Sequence, residues 1–504
     1  TYTDSEPSTW SDISNAWVGG YLSYDYLYMR LPVEGIDKEN KQITLSVNED
    51  QGLSVTNART TSQRWKIFNV LEELDTPTEW FIDKNTMKLY YYPPEKNESS
   101  ALEISKLKGS MIEIKEADNI AFEGICFEKT RGNAVSAQSV ENITISDCTF
   151  KNIGVDALSF TGTALAETDK NYWQRQNVDA AYNCEVSDNT FFNIGGHAVV
   201  MDGGNVDTLT PGNNVIKNNI FNRCAQTIKN YETIKLLGCG NSILNNNISC
   251  ASFSAIRHYG NDHVISYNEI YNVIQETDDS GAIYCGRNTV QRGTVISYNY
   301  LHDLYSTEEL PFAHQPAIYW DDNQTGMKAE YNIIKDAKIN IYTNGIDNNF
   351  SNNTSINIKK TNMDIKNGGA ASNANTEQSA FAGNIANESL YFEKYANLSS
   401  IISSASLTSP DLARYNILKD NLNVAGTGAD GIGSNTAAYG TVSNNTNSSD
   451  MSIFVDAANQ DYRVKNSSAY AATVLNEDFD IEKIGVVSNN AFNTEKVTLA
   501  APFN

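Results

Sequence analysis

The sequence predicts an all-β protein built as a parallel β-helix, with a small β element at its N-terminus. Two repeating patterns indicate this fold. Short apolar strands carry an asparagine in one slot, and a second kind of strand with an apolar middle residue recurs at similar intervals. Repeats of this length are typical of solenoids, because each unit is too small to bury its apolar face alone and must stack on its neighbours.

The first pattern is the asparagine slot, which Cys148 occupies in the first repeat and which then holds Asn189, Asn219, Asn247, Asn268, Asn299, Asn332 and Asn353. The steps between these positions are 41, 30, 28, 21, 31, 33 and 21 residues. The smallest step is about one coil of a parallel β-helix, and the larger steps leave room for loops. A buried asparagine at a corner can bond the asparagine of the next coil and satisfy turn backbone groups that the interior would otherwise leave unpaired.

The second pattern has an apolar middle residue at Val135, Leu158, Val199, Ile234, Ile256, Ile283, Ile318 and Ile341. Strand alternation directs these residues into the core, so the residues that follow them point outward and stack in one column. This outer column is Ser136, Ser159, Val200, Lys235, Arg257, Tyr284, Tyr319 and Tyr342. Two cations beside an aromatic strip suit a carbohydrate. The alternative is a tyrosine ladder that only stabilises the sheet.

Along the chain we predict three parts. Residues 1–110 are rich in Trp and Tyr and form the β element, with two strands between Glu79 and Pro94 joined by a turn at 83–86. Residues 111–486 form the β-helix, and residues 487–504 form a tail. The segment 454–465 is predicted to be a last strand pair that closes the end of the solenoid, since solenoids need caps to cover their open edges.

Charge and composition exclude some classes of partner. The chain has 504 residues, a net charge of -24 and a pI near 4.6. This argues against binding nucleic acid or an anionic membrane, both of which need a basic face, but it does not exclude a local basic pocket that binds an anionic sugar. No run of 18 apolar residues predicts a membrane span. The chain starts at Thr1 without a visible signal peptide, so we expect a processed or trimmed product.

The seven cysteines show no zinc-type spacing. We expect structural burial for those in or beside the strand repeats, which are Cys126, Cys148, Cys224 and Cys250. Secretion therefore cannot be deduced from disulfides, and no cofactor or metal is expected.

Carboxylates cluster in two segments of adjacent predicted coils. One segment holds Glu276, Asp278 and Asp279, and the other holds Asp321 and Asp322. Close carboxylates raise each other's pKa, and a pair with separated pKa values is what glycosidic bond cleavage needs. The alternatives are solvated turn residues or a calcium site. Asp279 precedes its strand and Asp321 follows its own, so the pairing requires a bend at Gly281.

Further residues are candidates for binding sugar beside this pair. Asp202 ends an earlier coil on the same edge and is expected to line a subsite. We expect Lys235, Arg257, Tyr284 and Tyr319 of the outer column to contact substrate. The remaining candidates neighbour the column or the acidic segments and are His258, Glu276, Trp320 and Asp322.

Five segments of the chain form a recognisable set: Trp-Val-Gly-Gly-Tyr from residue 17, the aromatic stretch 79–94, Asp-Ser-Gly-Ala-Ile-Tyr from 279, Gly-Thr-Val-Ile from 293 and Ala-Ile-Tyr-Trp-Asp-Asp from 317. They resemble the right-handed parallel β-helix glycosidases, nearest to glycoside hydrolase family 141, which includes fucosidases and xylanases. The resemblance implies a right-handed helix and two acidic catalytic residues, which carry over to Asp279 and Asp321, with Asp322 competing for the second role. Members of that group have further coils before the region of Trp17, so we expect a missing N-terminal part or a partner chain that supplies it.

Together these observations predict a secreted, cell-surface or periplasmic glycoside hydrolase that acts on an oligo- or polysaccharide and binds neither nucleic acid nor membrane. Two rivals stay open. A polysaccharide lyase would use Lys235 and Arg257 for β-elimination, with the aspartates holding metal. A glycan-binding β-helix would bind sugar and leave its length unchanged.

Overall fold

The computed structural model describes residues 2–3, 5–46, 64–94, 102–162, 180–286, 290–304, 310, 314–322, 324–367, 388–403 and 413–487. The chain divides into two compact units. The smaller comprises Thr1–Ile104, Thr277–Asp279 and Glu309–Phe312, and the larger comprises Ser105–Glu276, Ser280–Glu308 and Ala313–Asn504.

The smaller unit is an antiparallel β structure. Four strands pair in the order β3-β2-β1-β4, and a separate hairpin joins β5 to β6. Their bounds are β1 Trp17–Tyr21, β2 Tyr28–Asp37, β3 Gln42–Leu45, β4 Arg64–Phe68, β5 Trp80–Asp83 and β6 Lys88–Tyr91. The hairpin predicted between residues 79 and 94 is confirmed, with Trp80 opposite Tyr91. In β1, a side chain at position 20 would lie 2.2 Å from the Arg64 carbonyl oxygen, so glycine lets β4 approach.

The larger unit is the parallel β-helix that the sequence predicts. In the described residues its strands form three long parallel sheets. The first sheet contains β7 Ile112–Lys115, β10 Val135–Gln138, β13 Leu158–Thr161, β16 Val199–Asn205, β20 Ile234–Gly238, β23 Ile256–His258, β26 Ile283–Gly286, β29 Pro316–Asp321, β32 Ile339–Thr343, β35 Thr361–Ile365 and β38 Ala429–Ile432, with the short β17 Thr210–Pro211 beside β16.

The second and third sheets complete each coil. The second contains β8 Asp118–Glu123, β11 Glu141–Ser146, β14 Glu185–Ser187, β18 Val215–Lys217, β21 Ser242–Leu244, β24 Val264–Ser266, β27 Val295–Ser297, β30 Lys328–Glu330, β33 Asn349–Ser351, β36 Ile417–Lys419 and β39 Thr441–Ser443. The third contains β9 Cys126–Thr130, β12 Thr149–Ile153, β15 Thr190–Ile194, β19 Ile220–Asn222, β22 Asn247–Ser249, β25 Glu269–Tyr271, β28 Tyr300–Leu304, β31 Ile333–Ala337, β34 Thr354–Ile356, β37 Leu422–Val424 and β40 Thr446–Ser448.

Helices are few in the described chain. The α-helices are α1 Glu388–Lys394, α2 Ala396–Ser403 and α3 Ser434–Tyr439. Single turns of 3-10 helix occur at Glu6–Ser8, Leu71–Glu73, Met451–Ile453, Ala457–Asn459 and Ile481–Lys483. None of the helices in the described residues is long and apolar enough to cross a membrane.

The core of the helix is a set of stacked apolar columns. The predicted inward residues pair in register from coil to coil, for example Ile256 with Ile283 and Ile283 with Ile318, and all three are fully buried. The third sheet adds a stack of phenylalanine rings whose centroids are 4.7 to 4.9 Å apart, close to the spacing of hydrogen-bonded strands. Stacking identical residues lets each coil bury apolar surface that it could not bury alone.

The asparagine ladder is present, with one correction to its register. Asn246 occupies the slot that the sequence analysis assigned to Asn247: its Oδ1 accepts from Asn219, and its Nδ2 donates to Asn268 Oδ1 at 3.0 Å. The residue before each of these asparagines adopts a left-handed backbone, and Asn245 does so at φ 55°. Position 246 therefore follows the corner, whereas Asn247 begins β22 and bonds Glu269.

The predicted final strand pair forms, but its predicted location is wrong. Strands β41 Phe454–Asp456 and β42 Asp461–Val464 are antiparallel. They pack on the outer side of the third sheet, where Phe454 and Tyr462 share an apolar cluster with Tyr300 and Leu422. The chain then runs back beside earlier coils until the Val487 N–H donates to Asn218 Oδ1 at 2.7 Å. Burying apolar side chains against that exposed sheet favours this side position over the open end.

All seven cysteines are free thiols. Cys148, Cys224 and Cys250 are buried, as predicted for residues that pack as small hydrophobes, but Cys126 is exposed, contrary to the prediction.

Candidate functional site

The outer face of the first sheet carries the predicted column of cations and tyrosines. Strand register pairs Lys235 with Arg257, Arg257 with Tyr284, Tyr284 with Tyr319, and Tyr319 with Tyr342. The next strand continues the column with Asp364. From Lys235 to Asp364 the column spans five strand spacings, or about 24 Å. From here on, the name outer column refers only to these six residues, from Lys235 to Asp364.

Tyr284 and Asp321 meet at the centre of the outer column. The Tyr284 hydroxyl donates to Asp321 Oδ2 at 3.1 Å, and both side chains are partly exposed. Gly286 pairs with Asp321 in the register, and a Cβ at position 286 would lie 2.8 Å from the Asp321 Cβ and 3.0 Å from the Tyr284 hydroxyl. The absence of a side chain at Gly286 thus leaves the space in which this hydrogen bond forms.

Aromatic rings continue the surface towards the C-terminal coils. The Tyr319 ring packs edge-on against Tyr284 at 5.2 Å and against Tyr342 at 5.0 Å between centroids. His314 contacts both Tyr319 and Tyr342 edge-on. Tyr319 is only 3% exposed, whereas Tyr284 and Tyr342 are half-buried. Tyr319 therefore supports the neighbouring rings more than it offers a face of its own.

Arg257 is held in place from two directions. Its Nε lies 2.7 Å from Glu232 Oε1, and its guanidinium lies over the rings of Tyr284 and Phe253 at 4.7 and 5.2 Å. Burial alone would lower the pKa of Arg257, but Glu232 raises it above its ordinary value, helped by Tyr259, Tyr284 and Asp321. The guanidinium is therefore a fixed positive charge and cannot serve as a base.

Behind Arg257 lies a chain of alternating charges that the sequence analysis missed. His197 Nε2 is 3.1 Å from Glu232 Oε2, and His197 Nδ1 is 3.0 Å from Asp156 Oδ1. Burial alone would raise the pKa of Glu232, but Arg257, His197 and Lys235 lower it to about 2. Burial alone would lower the pKa of His197, but Asp156 and Glu232 raise it above its ordinary value. We call Asp156, His197, Glu232 and Arg257 the charge chain.

A signal for the charge chain was present in the sequence. The inward residues Leu158, Val199 and Ile234 pair in register on successive strands. Two positions before each of them the chain has Asp156, His197 and Glu232, respectively. The same alignment that predicted the outer column therefore stacks these three side chains on adjacent coils. An acid–histidine–acid sequence down one column is a signal for mutual pairing.

Asp279, the first predicted catalytic residue, lies outside the β-helix unit. It precedes β26 by four residues, belongs to the smaller compact unit with Asp278, and has a left-handed backbone at φ 51°. Its N–H donates to Asp278 Oδ1 at 3.0 Å, and the Asp278 N–H donates to the Asp25 carbonyl oxygen at 3.1 Å. Asp321 is the last residue of β29, so the register of the first sheet does not pair the two aspartates.

Two further predicted acids have defined surroundings. Asp322 follows Asp321 with a positive φ of 31°, and its backbone N–H donates to Asp321 Oδ1 at 2.8 Å. This bond orients the Asp321 carboxylate. Glu276 forms an ion pair with Lys229 at 2.5 Å and accepts from the Ser252 hydroxyl at 3.3 Å. Its charge is therefore matched by a lysine outside the outer column.

His258 and Trp320, predicted as sugar contacts, point into the core. His258 is fully buried in register with Leu236, and Trp320 is 1% exposed in register with Cys285. Strand alternation explains the error, because each directly follows an outward residue. Burial, with a smaller contribution from His263, lowers the pKa of His258 to about 3, so its ring stays neutral near neutral pH.

Asp202 occupies the same outward register as Asp321 but on an earlier coil. Asp202 is in register with Leu237, and Asp321 is in register with Gly286. In the first sheet the strands of the two aspartates, β16 and β29, are four strand spacings apart, or about 19 Å. Asp202 is completely buried. The Asp202 carboxylate is therefore not accessible on the surface around Asp321.

The arrangement combines a fixed cation, an aromatic surface and an oriented carboxylate on one face. Arg257, Tyr284 and Asp321 form its centre, with Lys235 one strand before Arg257. Such a face can bind a polar, hydroxyl-rich chain along the solenoid and supply a carboxylate to a bond within it. Among the described residues, no group of three or more His, Cys, Asp or Glu side chains is placed to hold a metal ion.

Comparison with known proteins gives several similar solved structures and one family region. One of these structures is named "Glycoside hydrolase"; it has 13% sequence identity and a TM-score of 0.49, and the match covers 69% of this chain and 65% of that chain. This chain thus spans less than two thirds of its length. A comparison with curated proteins gave no significant match. Residues 110–232 match the family model described as the right handed beta helix region, which agrees with the observed coils.

Proposed function

We propose that this protein is a glycoside hydrolase that binds its glycan along the outer column and cleaves it with the Asp321 carboxylate. The observation that carries the proposal is the contact of Tyr284 with both Asp321 and Arg257, which joins an oriented acid to a fixed cation on one aromatic face. The substrate is an oligo- or polysaccharide. In keeping with such substrates, we propose that the protein acts outside the cytoplasm, as a secreted, cell-surface or periplasmic enzyme.

In this proposal two carboxylates share the chemistry. One protonates the leaving glycosidic oxygen, and the other attacks the anomeric carbon or activates a water molecule. Asp321 takes the second role, because Tyr284 and the Asp322 N–H both donate to it and stabilise its charged form. The resemblance seen in the sequence implies Asp279 for the acid, and its own substitution tests that role separately from Asp321. Asp322 is its competitor, since it is adjacent to Asp321 and partly exposed.

The test measures glycan cleavage by wild type, Asp321→Asn, Asp279→Asn and Asp322→Asn on plant and host polysaccharides. New reducing ends without ultraviolet absorbance from an unsaturated uronate identify hydrolysis. We expect Asp321→Asn to lose at least a hundredfold in turnover, as for removal of a catalytic carboxylate. Full turnover by Asp321→Asn contradicts the proposal, and the relative losses at positions 279 and 322 assign the acid.

A polysaccharide lyase is the second candidate, favoured by the adjacency of Lys235 and Arg257 on neighbouring strands. In that reaction a base removes the proton beside a uronate carboxyl group, and a cation stabilises the resulting charge. Arg257 can supply only the cation, because its ion pair with Glu232 keeps it protonated. Ultraviolet absorbance that depends on Lys235, together with unchanged activity in Asp321→Asn, would assign this chemistry instead.

A further inference from the structure

The cationic end of the outer column has the features of a site for one specific chemical group. The Nε atom of Arg257 forms an ion pair with Glu232. Its terminal nitrogens, Nη1 and Nη2, make no hydrogen bond or ion pair with the described residues. The side chain is 26% exposed. A guanidinium anchored through Nε and open at its two terminal nitrogens presents a planar fork of donors.

Lys235 adds a second cation beside this fork. It lies directly opposite Arg257 on the neighbouring strand, about 4.8 Å away along the axis, and is half-buried. It makes no ion pair with any residue in the described part of the chain. Two cations this close repel each other, and Glu232 forms an ion pair with Arg257 alone. An anion bound beside Lys235 and Arg257 would therefore be attracted by both and reduce the remaining repulsion.

The charge chain keeps the fork rigid. Glu232 is 3% exposed and receives contacts from both His197 and Arg257, while the rings of Phe253 and Tyr284 enclose the guanidinium. Little side-chain freedom remains to be lost when a ligand binds, which raises the affinity for each hydrogen bond formed. Glu232 and Asp156 also offset two of the local positive charges, so the site suits a single negative charge better than a double one.

We propose that Lys235 and Arg257 form a subsite for the carboxylate of an acidic sugar, with Arg257 bonding both carboxylate oxygens and Lys235 adding charge. This rests on the proposed glycan-binding role of the outer column and names its substrate class as glycans that contain uronic acid. A planar carboxylate matches the guanidinium fork. Asp321 lies two strands beyond Arg257 and two residues further along its own strand. The acidic sugar therefore sits about 12 Å from the reacting carboxylate and does not meet its charge directly.

The test measures binding separately from cleavage. Asp321→Asn protein is titrated by calorimetry with oligomers of galacturonate, of alginate and of glucuronate-substituted xylan. Each is compared with its carboxyl-reduced form, which has the same linkages and no charge. We expect at least one acidic oligomer to bind at least tenfold more tightly than its reduced form, since a charge-assisted pair contributes at least that factor. Equal affinity for the two forms, or no binding of any acidic oligomer, overturns the proposal.

Variants of the two cations complete the test. In the same background, Lys235→Met is expected to weaken binding of the acidic oligomer and leave that of its reduced form unchanged. Arg257→Lys keeps the positive charge but loses the two parallel donors of the guanidinium. We expect this variant to lower the affinity for the acidic oligomer about tenfold. Thermal unfolding checks that each variant is folded. Lys235 acts on Glu232 only through its charge and forms no ion pair within the charge chain, so the described contacts of Arg257 remain in Lys235→Met. Unchanged acidic binding in a folded Lys235→Met protein therefore counts against the proposal.

Two outcomes separate this inference from the proposed hydrolase activity. Tight binding of an acidic oligomer that wild type neither hydrolyses nor converts to an unsaturated product supports the subsite and removes the proposed activity. Cleavage of neutral glycans, with no gain in affinity from a carboxylate, keeps the activity and removes the subsite. A sulfated galactan oligomer serves as a third probe. If only this oligomer binds, the Arg257 guanidinium recognises sulfate, and the carboxylate assignment is overturned.

Discussion

The Tyr284 hydroxyl donates to Asp321 Oδ2 at 3.1 Å, and the ring of the same tyrosine lies beneath the Arg257 guanidinium. One side chain therefore connects the acid and the cation of the candidate site. The contact depends on strand register, since Arg257, Tyr284 and Tyr319 come from three successive coils of one sheet. It also depends on Gly286, whose missing side chain leaves room for both groups.

Removing only the Tyr284 hydroxyl tests this connection. We expect Tyr284→Phe to lower kcat/KM by about tenfold to a hundredfold, because a hydrogen bond to a charged group contributes about 1.5–3 kcal/mol. The measurement is the release of reducing ends from a glycan that wild type cleaves. Tyr342→Phe, on the same column and two strands further on, is the matched control and should change activity much less. Equal losses in both variants would remove the special role of Tyr284.

The low pKa of Glu232 predicts a loss of stability in acid. Its folded pKa is about 2, against an ordinary value of 4.5. Because the folded pKa is depressed, the stabilisation is fully present above pH 4.5 and is lost as the pH falls towards 2. The difference corresponds to about 3 kcal/mol in the free energy of unfolding.

Urea unfolding of wild type and Glu232→Gln at several pH values measures this contribution. We expect wild type to lose about 3 kcal/mol more than Glu232→Gln between pH 5 and pH 2. Glu185→Gln is the control, because Glu185 forms a more exposed ion pair with Lys217 and contributes less. Parallel pH curves for wild type and Glu232→Gln would show that the charge chain does not hold Glu232 ionised.

His197 and His258 are expected to titrate in opposite directions from the ordinary histidine pKa. Asp156 and Glu232 raise the pKa of His197, so its stabilisation is present below pH 6.5 and is lost as the pH rises through its folded pKa. Burial lowers the pKa of His258 to about 3. Nitrogen-15 NMR of labelled histidines should show a charged His197 ring and a neutral His258 ring at pH 6.5. A neutral His197 at that pH would contradict pairing with both carboxylates.

The corrected register of the asparagine ladder predicts a sharp contrast between neighbours. Asn246 is fully buried, and its amide group takes part in bonds to Asn219, Asn268 and the Ile216 carbonyl oxygen. Asn246→Ala leaves several buried groups unpaired and should cost about 3 kcal/mol or more. Asn247→Ala loses a bond to the partly exposed Glu269 and should cost about 1 kcal/mol or less. Guanidinium unfolding distinguishes them, and equal costs would contradict the assigned slot.

Much of the fold was readable from the chain because a solenoid repeats. Because successive coils pair in register, residues at equivalent positions of the repeats lie next to each other in the sheet. The column from Lys235 to Tyr342 was therefore predicted residue by residue, and it is observed in that order. The same alternation places His258 and Trp320 inside. The error there came from choosing residues by their neighbours in sequence and ignoring the face of the strand.

The sequence by itself determined the repeat, the stacked asparagines and the residue types that share the outer face, because these follow from a two-residue alternation and a coil-length period. Only the tertiary structure decided which side chains meet. The bond from Tyr284 to Asp321, the burial of Glu232 between His197 and Arg257, and the docking of the C-terminal strands on the third sheet depend on turn conformations and rotamers. Periodicity places His197 and Glu232 on adjacent coils, but it does not encode their burial or the contact of Glu232 with Arg257. The other two contacts join residues from different registers or from distant parts of the chain.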